Sequence, residues 1–168
     1  MIAEPARVAV FLIGPIGVGK TRLGVALAQK LGGQFLDSDD FGDPGKPWYA
    51  QIERSSRCLL DACRQALDEG HLVFVAKPLR KRDWIYFRGR LAETDIRSIC
   101  LTLSASYDAI VNPARGRIFD EAERRRIKEM IGQGYAARDF SDLTITTDVT
   151  DFPSTLTRIA AALGPLLA

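Results

Sequence analysis

Apolar and polar positions fall in blocks along this chain, and the blocks have two different periods. "RVAVFLI" (7–13) is apolar without interruption after its first residue, as expected of a central strand covered on both faces. "KTRLGVALAQKL" (20–31) then spaces Leu23, Leu27 and Leu31 four apart, one face of a helix, and Gly32 and Gly33 end it. A brief second strand opens "QFLDSDDFGDPGKP" (34–47) and runs through an acidic tip into a Gly/Pro loop. A long helix is predicted from about Trp48 to Glu69, stopped by Gly70. "HLVFVA" (71–76) reads as a third strand and "KPLRKR" (77–82) as the loop after it. "RDWIYFRGRLAET" (82–94) is a helix weakened by Gly89, and "IRSICLTL" (96–103) a fourth strand. "DEAERRRIKEMIGQG" (120–134) predicts a charged helix with Ile127, Met130 and Ile131 on its apolar side. "DLTITT" (142–147) gives a fifth strand and "PSTLTRIAAALGPLL" (153–167) a closing helix.

Strands that alternate with helices of this length imply parallel βαβ units, hence an α/β sandwich with helices on both faces of one sheet. Ligands of such sheets bind at the carboxyl ends of the strands. That places Gly14–Thr21, Asp37–Asp39, Lys77–Arg82 and the region after Leu103 around one site.

Composition narrows the class. The 168 residues fit one domain, and 46% hydrophobic with 26% charged residues is ordinary for a globular protein. A net charge of +2 gives no electrostatic footprint for nucleic acid. No apolar run approaches the roughly 18 residues of a membrane span, and "MIAEPARVAVFLIG" lacks the basic start of a secretory leader. Cys58, Cys63 and Cys100 sit in apolar or helical contexts and read as buried thiols, so a reduced, cytoplasmic setting is expected.

The strongest chemical signal is Gly14-Pro15-Ile16-Gly17-Val18-Gly19-Lys20-Thr21, a complete G-x-x-x-x-G-K-[ST] between a strand and a helix. Its glycines let the backbone wrap a phosphate chain with N–H groups pointing inward, and the helix end adds positive potential. Lys20 would reach the β- and γ-phosphates, and the Thr21 hydroxyl would help hold Mg²⁺. A nucleoside triphosphate is the implied ligand. What receives the phosphate depends on "FLDSDD". In extended geometry Asp37 and Asp39 point the same way, so one could hold a Mg²⁺-bound water and the other orient an acceptor hydroxyl or take its proton. A solvated acidic turn has the same composition.

The cradle together with Asp37-Ser38-Asp39 resembles small-metabolite kinases of the shikimate kinase and gluconate kinase group. "GYAARDFSDLTITTD" (134–148) also resembles the close of shikimate kinases. The resemblance implies ATP and Mg²⁺, a five-stranded parallel sheet in the order 2-3-1-4-5, and a lid near 112–120. It assigns Thr21 and Asp37 to Mg²⁺, Asp39 to the acceptor, and Arg115 and Arg117 to the lid, where a guanidinium would neutralise the transferring phosphoryl group. Arg138 lies near the position of an arginine that the shikimate kinase pattern expects, where this chain has Gly132. The Gly-Gly-Gly turn of shikimate kinases is replaced by Ala76-Lys77-Pro78-Leu79. "GKPWYAQI" (45–52) and "KPLRKRDWIYFR" (77–88) are similar to segments of gluconate kinases, whose Leu-His after the second strand is missing here.

Lys77, Arg80, Lys81 and Arg82 form the densest basic patch at a strand's carboxyl end, suited to an anionic small-molecule acceptor and equally to solvent. Arg124, Arg125 and Arg126 alternate with acidic residues as on an exposed, salt-bridged helix face. His71 reads as structural, while Trp48 and Tyr49 suit either a pocket wall or the core. The third strand ends in Lys77 and not in aspartate, which argues against a motor or AAA-type ATPase, and no Asn-Lys-x-Asp motif supports a GTPase. Two readings remain: a phosphotransferase acting on a small metabolite, the acceptor being a shikimate-like or gluconate-like compound, a nucleotide or an antibiotic, or an ATP-binding module without turnover.

Overall fold

A computed structural model describes residues 6–168; residues 1–5, part of the N-terminal stretch read above for a leader, lie outside the described residues. The elements run β1 (Arg7–Ile13), α1 (Lys20–Leu31), β2 (Gln34–Asp37), α2 (Ile52–Glu69), β3 (Leu72–Ala76), α3 (Lys81–Ala92), β4 (Ile96–Ser104), α4 (Tyr107–Val111), α5 (Glu121–Gly132), β5 (Leu143–Thr146) and α6 (Phe152–Leu167). The five strands form one sheet in the order β2-β3-β1-β4-β5, every pair parallel. This is the order that the resemblance implied.

The unbroken apolar run of β1 has a direct explanation in its two faces. Val8, Val10 and Leu12 pack with Leu27, Ile127, Ile159 and Leu163 on one side of the sheet. Ala9, Phe11 and Ile13 pack with Leu59, Cys63, Leu67, Phe87 and Leu91 on the other. A strand buried twice has no polar face to show. Gly24 stands mid-helix in α1 because a Cβ there would come within 2.6 Å of Phe35 Cδ2 and 2.8 Å of Leu12 Cδ1; its absence lets α1 lie close on the sheet.

Three local features differ from the sequence reading. The long helix begins at Ile52, because Trp48–Ala50 forms a separate 3₁₀ turn. The Gln51 side chain turns back instead, accepting from Asp43 N at 2.6 Å and donating to Asp43 O and Lys46 O. A short helix, α4, follows β4, with Ser106 Oγ accepting from Ala109 N at its start. Cys63 and Cys100 are buried, and burial pushes both thiols up to about 12, but Cys58 is exposed. No helix among the described residues is long and apolar enough to cross a membrane.

Candidate functional site

The turn between β1 and α1 holds three glycines at positive φ: Gly14 at 146°, Gly17 at 77° and Gly19 at 107°. Glycine adopts such conformations without strain, and a turn of this kind can present its backbone amides to an anion. Close packing fixes two of them as well. A Cβ on Gly14 would collide with Leu103 O, and one on Gly17 would lie 2.5 Å from Phe119 Cζ. Lys20, half-buried at the start of α1, donates to Gly14 O at 2.9 Å and Pro15 O at 2.8 Å. Burial pushes its ammonium down to about 8, against the opposing pull of Asp39 and Asp37, with Arg117 adding to the lowering. Thr21 Oγ1 donates to Asp37 Oδ2 at 2.8 Å, and the other Asp37 oxygen accepts from Asp39 N at 3.1 Å. β2 thus delivers its last residue directly across from the first turn of α1.

A cleft of about 720 Å³ opens at this end of the sheet. Its lining brings together the turn residues Ile16 to Thr21, both Asp37 and Asp39, and Arg115 and Arg117 from the segment after α4. The opposite wall is the start of α6, where the Arg22 guanidinium lies 4.0 Å from the centre of the Phe152 ring. Arg117 is engaged within the cleft wall: it donates to Glu123 Oε1 at 2.7 Å and lies over the Phe119 ring. Glu123 has a second duty, since its Oε2 accepts from Asp120 N while Asp120 Oδ1 accepts from Glu123 N. This reciprocal cap starts α5. Asp148, hydrogen-bonded by Ser106 N and Oγ, is lowered first by that backbone bond, with Arg115 among the further causes.

The basic residues predicted to meet an acceptor separate into two places. Lys77 extends the sheet by donating its N–H to Leu12 O, and its flanking residues Ala76 and Pro78 line the cleft. Burial lowers its ammonium, while Asp83 and Asp39 pull it back up. Arg80 and Arg138 lie instead in a neighbouring cavity of about 640 Å³, together with Arg126, Trp48 and Tyr135. Lys81 pairs with Asp139 and Arg82 with Asp83. Trp48 and Tyr49 are exposed, not core. The Arg124–Arg126 run is in part the expected salt-bridged face, with Arg125 on Glu121 and Arg126 on Glu129, but Arg126 also reaches the second cavity.

Sequence reasoning missed Glu123, Phe119, Arg126 and the Thr150–Phe152 wall. Only Glu123 had a local signature, the D-x-x-E of a capping box before an apolar-periodic run. Among the described residues no three His, Cys, Asp or Glu side chains gather as a ready metal cage. One hydroxyl and one carboxylate, Thr21 and Asp37, suit Mg²⁺, which keeps several waters and takes phosphate oxygens as its other ligands.

A family model described as an AAA domain matches residues 10–136. A shikimate kinase from Trichormus variabilis is 26% identical, over 85% of this chain and 83% of that protein. Of several other curated relatives, a tRNA dimethylallyltransferase and three shikimate kinases, the chain spans only 19% to 54% of the length. Among solved structures, the APS kinase of Mycobacterium tuberculosis with AMPPNP and APS superposes with a TM-score of 0.68 at 19% identity, covering 98% of this chain and 99% of that one. A gluconokinase from Sinorhizobium meliloti gives 0.60 at 16%, covering 95% of each. At these identities the likeness is one of fold.

Proposed function

The chain belongs to the AAA domain family of P-loop proteins, and on that premise we propose that it is an ATP- and Mg²⁺-dependent phosphotransferase acting on a hydroxyl of a small metabolite. One observation carries the reading: the cradle residues from Ile16 to Thr21, the Thr21–Asp37 pair, Asp39 and the arginines 115 and 117 all line a single cleft, while Gly14 and Pro15 lie outside its lining. A cradle alone would serve any nucleotide-binding module. A second carboxylate beside it, exposed and free of Thr21, is what an acceptor hydroxyl needs.

In this reading the turn amides and Lys20 bind the triphosphate, and Thr21 with Asp37 hold Mg²⁺. The metal neutralises charge on the phosphate oxygens when bound. Asp39 orients the acceptor hydroxyl, whose oxygen bonds to the γ-phosphorus as the bond to the β–γ bridging oxygen breaks; Asp39 accepts the hydroxyl proton. Arg117 leaves Glu123 to meet the developing charge, and residues 112–120 act as a lid around Gly116, which sits at positive φ. The relatives named shikimate kinase, gluconokinase and APS kinase support the class and leave the acceptor open. The rival reading, an ATP-binding module without turnover, draws on Pro78, which occupies the cleft wall in place of a glycine turn.

ADP release from Mg-ATP, measured against shikimate, gluconate, nucleoside monophosphates and amino sugars, tests the proposal. An acceptor that raises turnover in the native chain but not in Asp39→Asn supports it. Full activity in Lys20→Ala would overturn it, and tight ATP binding with no response to any acceptor favours the module.

A further inference from the structure

The second cavity carries three guanidinium groups and no carboxylate in its lining: Arg80 from the start of α3, Arg126 from α5 and Arg138 after α5, with Trp48, Tyr135 and Gln133 completing it. Arg126 is paired with Glu129 at 3.2 Å. Among the described residues Arg80 and Arg138 form no ion pair, so two positive charges face this space uncompensated. Arg80 instead lies 5.3 Å from the centre of the Trp48 ring, and Arg138 lies 4.0 Å from the centre of Tyr135. Stacking on an aromatic face holds a guanidinium plane in place without using its N–H donors or its charge. Arg138 Nη1 donates to Gln133 O at 3.0 Å, yet its Nε is shielded from water and has no partner. A donor in that state is costly unless something else meets it.

We propose that this cavity seats a doubly charged phosphoryl group carried by the acceptor. This rests on the phosphotransferase reading for the word acceptor, but the site itself does not. A carboxylate offers one charge and two oxygens, which a single guanidinium satisfies in bidentate fashion. Three guanidinia with two uncompensated charges match a dianion with three terminal oxygens. The loop 77–80 joins the two spaces, with Pro78 on the cleft wall and Arg80 in the cavity. The acceptor is therefore a small phosphorylated compound that presents its hydroxyl to Asp39 and its dianion to the arginines.

Three probes on one carbon frame test this: glycerol 3-phosphate, glycerate and glycerol. Binding is measured by calorimetry on Lys20→Ala, which weakens the cradle, and the two arginine substitutions below assign what binding remains to the cavity. Glycerol 3-phosphate is expected to bind at least tenfold more tightly than glycerate, and glycerol not measurably. Arg80→Gln and Arg138→Gln should each weaken the phosphate ester at least tenfold, and Arg138→Lys should restore only part of the loss. Equal binding of phosphate and carboxylate, tighter binding of glycerate, no binding of any probe, or binding indifferent to both arginine changes would overturn the proposal. A glycerol 3-phosphate result as expected, in a native chain that fails to bind ATP, would leave the cavity standing and remove the kinase reading.

Discussion

Thr21 and Asp37 meet across the gap between α1 and β2, the hydroxyl donating to the carboxylate at 2.8 Å. The contact ties the first turn of the helix to the end of a strand 16 residues later, and it is the pair to which the proposed mechanism gives Mg²⁺. Asp37→Asn is expected to raise the Mg²⁺ concentration for half-maximal ADP release by about 10- to 100-fold. An unchanged Mg²⁺ titration would remove Asp37 from that role.

Lys20 makes nucleotide binding depend on pH. In the free chain burial holds its ammonium down to about 8, below the ordinary lysine value of 10.5. A bound phosphate favours the charged form and raises that value again. Above pH 8 the free chain has lost the proton that the complex retains, so binding takes up a proton and weakens as pH rises. Below pH 8 both states are protonated and this dependence vanishes. Calorimetry of AMPPNP binding in buffers of different ionisation heat reads the uptake directly, and Lys20→Ala should abolish it.

Arg117 and Glu123 separate rate from stability. Their ion pair is exposed enough, at 56% and 35% of the side chains, that its loss costs little folding energy. Arg117→Ala should lower acceptor-dependent ADP release by about 10³-fold with an unchanged urea midpoint. Asp120→Ala strikes the cap of α5 and should cost about 1 kcal/mol in urea unfolding. The reverse pattern, a stability loss in Arg117→Ala with normal turnover, would make the arginine structural.

Two helix-interior glycines should respond oppositely to the same substitution. Gly89 has nothing within 4 Å of its missing Cβ, so Gly89→Ala should stabilise by about 0.5–1 kcal/mol through helix propensity. Gly24→Ala gains the same propensity but forces Phe35 and Leu12 apart, so overpacking should leave it net destabilised by about 1 kcal/mol. Urea midpoints of the two variants decide it.

The parts of this fold legible in the sequence are those governed by local rules. The β1–cradle–α1 unit could be read because glycine spacing, strand run and helix period fall within residues 7–31. The placement of Asp37 beside Thr21 followed from the rule that parallel sheets gather ligands at one end. The start of α2 lies four residues later than expected because Trp48–Ala50 forms a 3₁₀ turn and the Gln51 side chain bonds back to the 43–46 loop, features that no helix period signals. Of the cavity lined by Arg80, Arg126 and Arg138, Arg80 and Arg138 were expected to meet an acceptor, while Arg126 and the meeting of all three in one space were not. Its members come from three segments with unrelated local patterns, and Arg126 carried the pattern of an ordinary solvated face. Only the tertiary fold brings them to one place.

α5 also works as a ruler. Glu123 lines the cleft and Arg126 the neighbouring cavity, three residues apart on one helix. At about 1.5 Å of rise per residue, the two side chains leave the backbone about 4.5 Å apart along the axis. A helix does not stretch, so a molecule reaching from one space to the other is measured against a rod of fixed length. On the proposed reading an acceptor has to meet Asp39 with one end and the arginines with the other, so its length as well as its charge decides whether both ends are met.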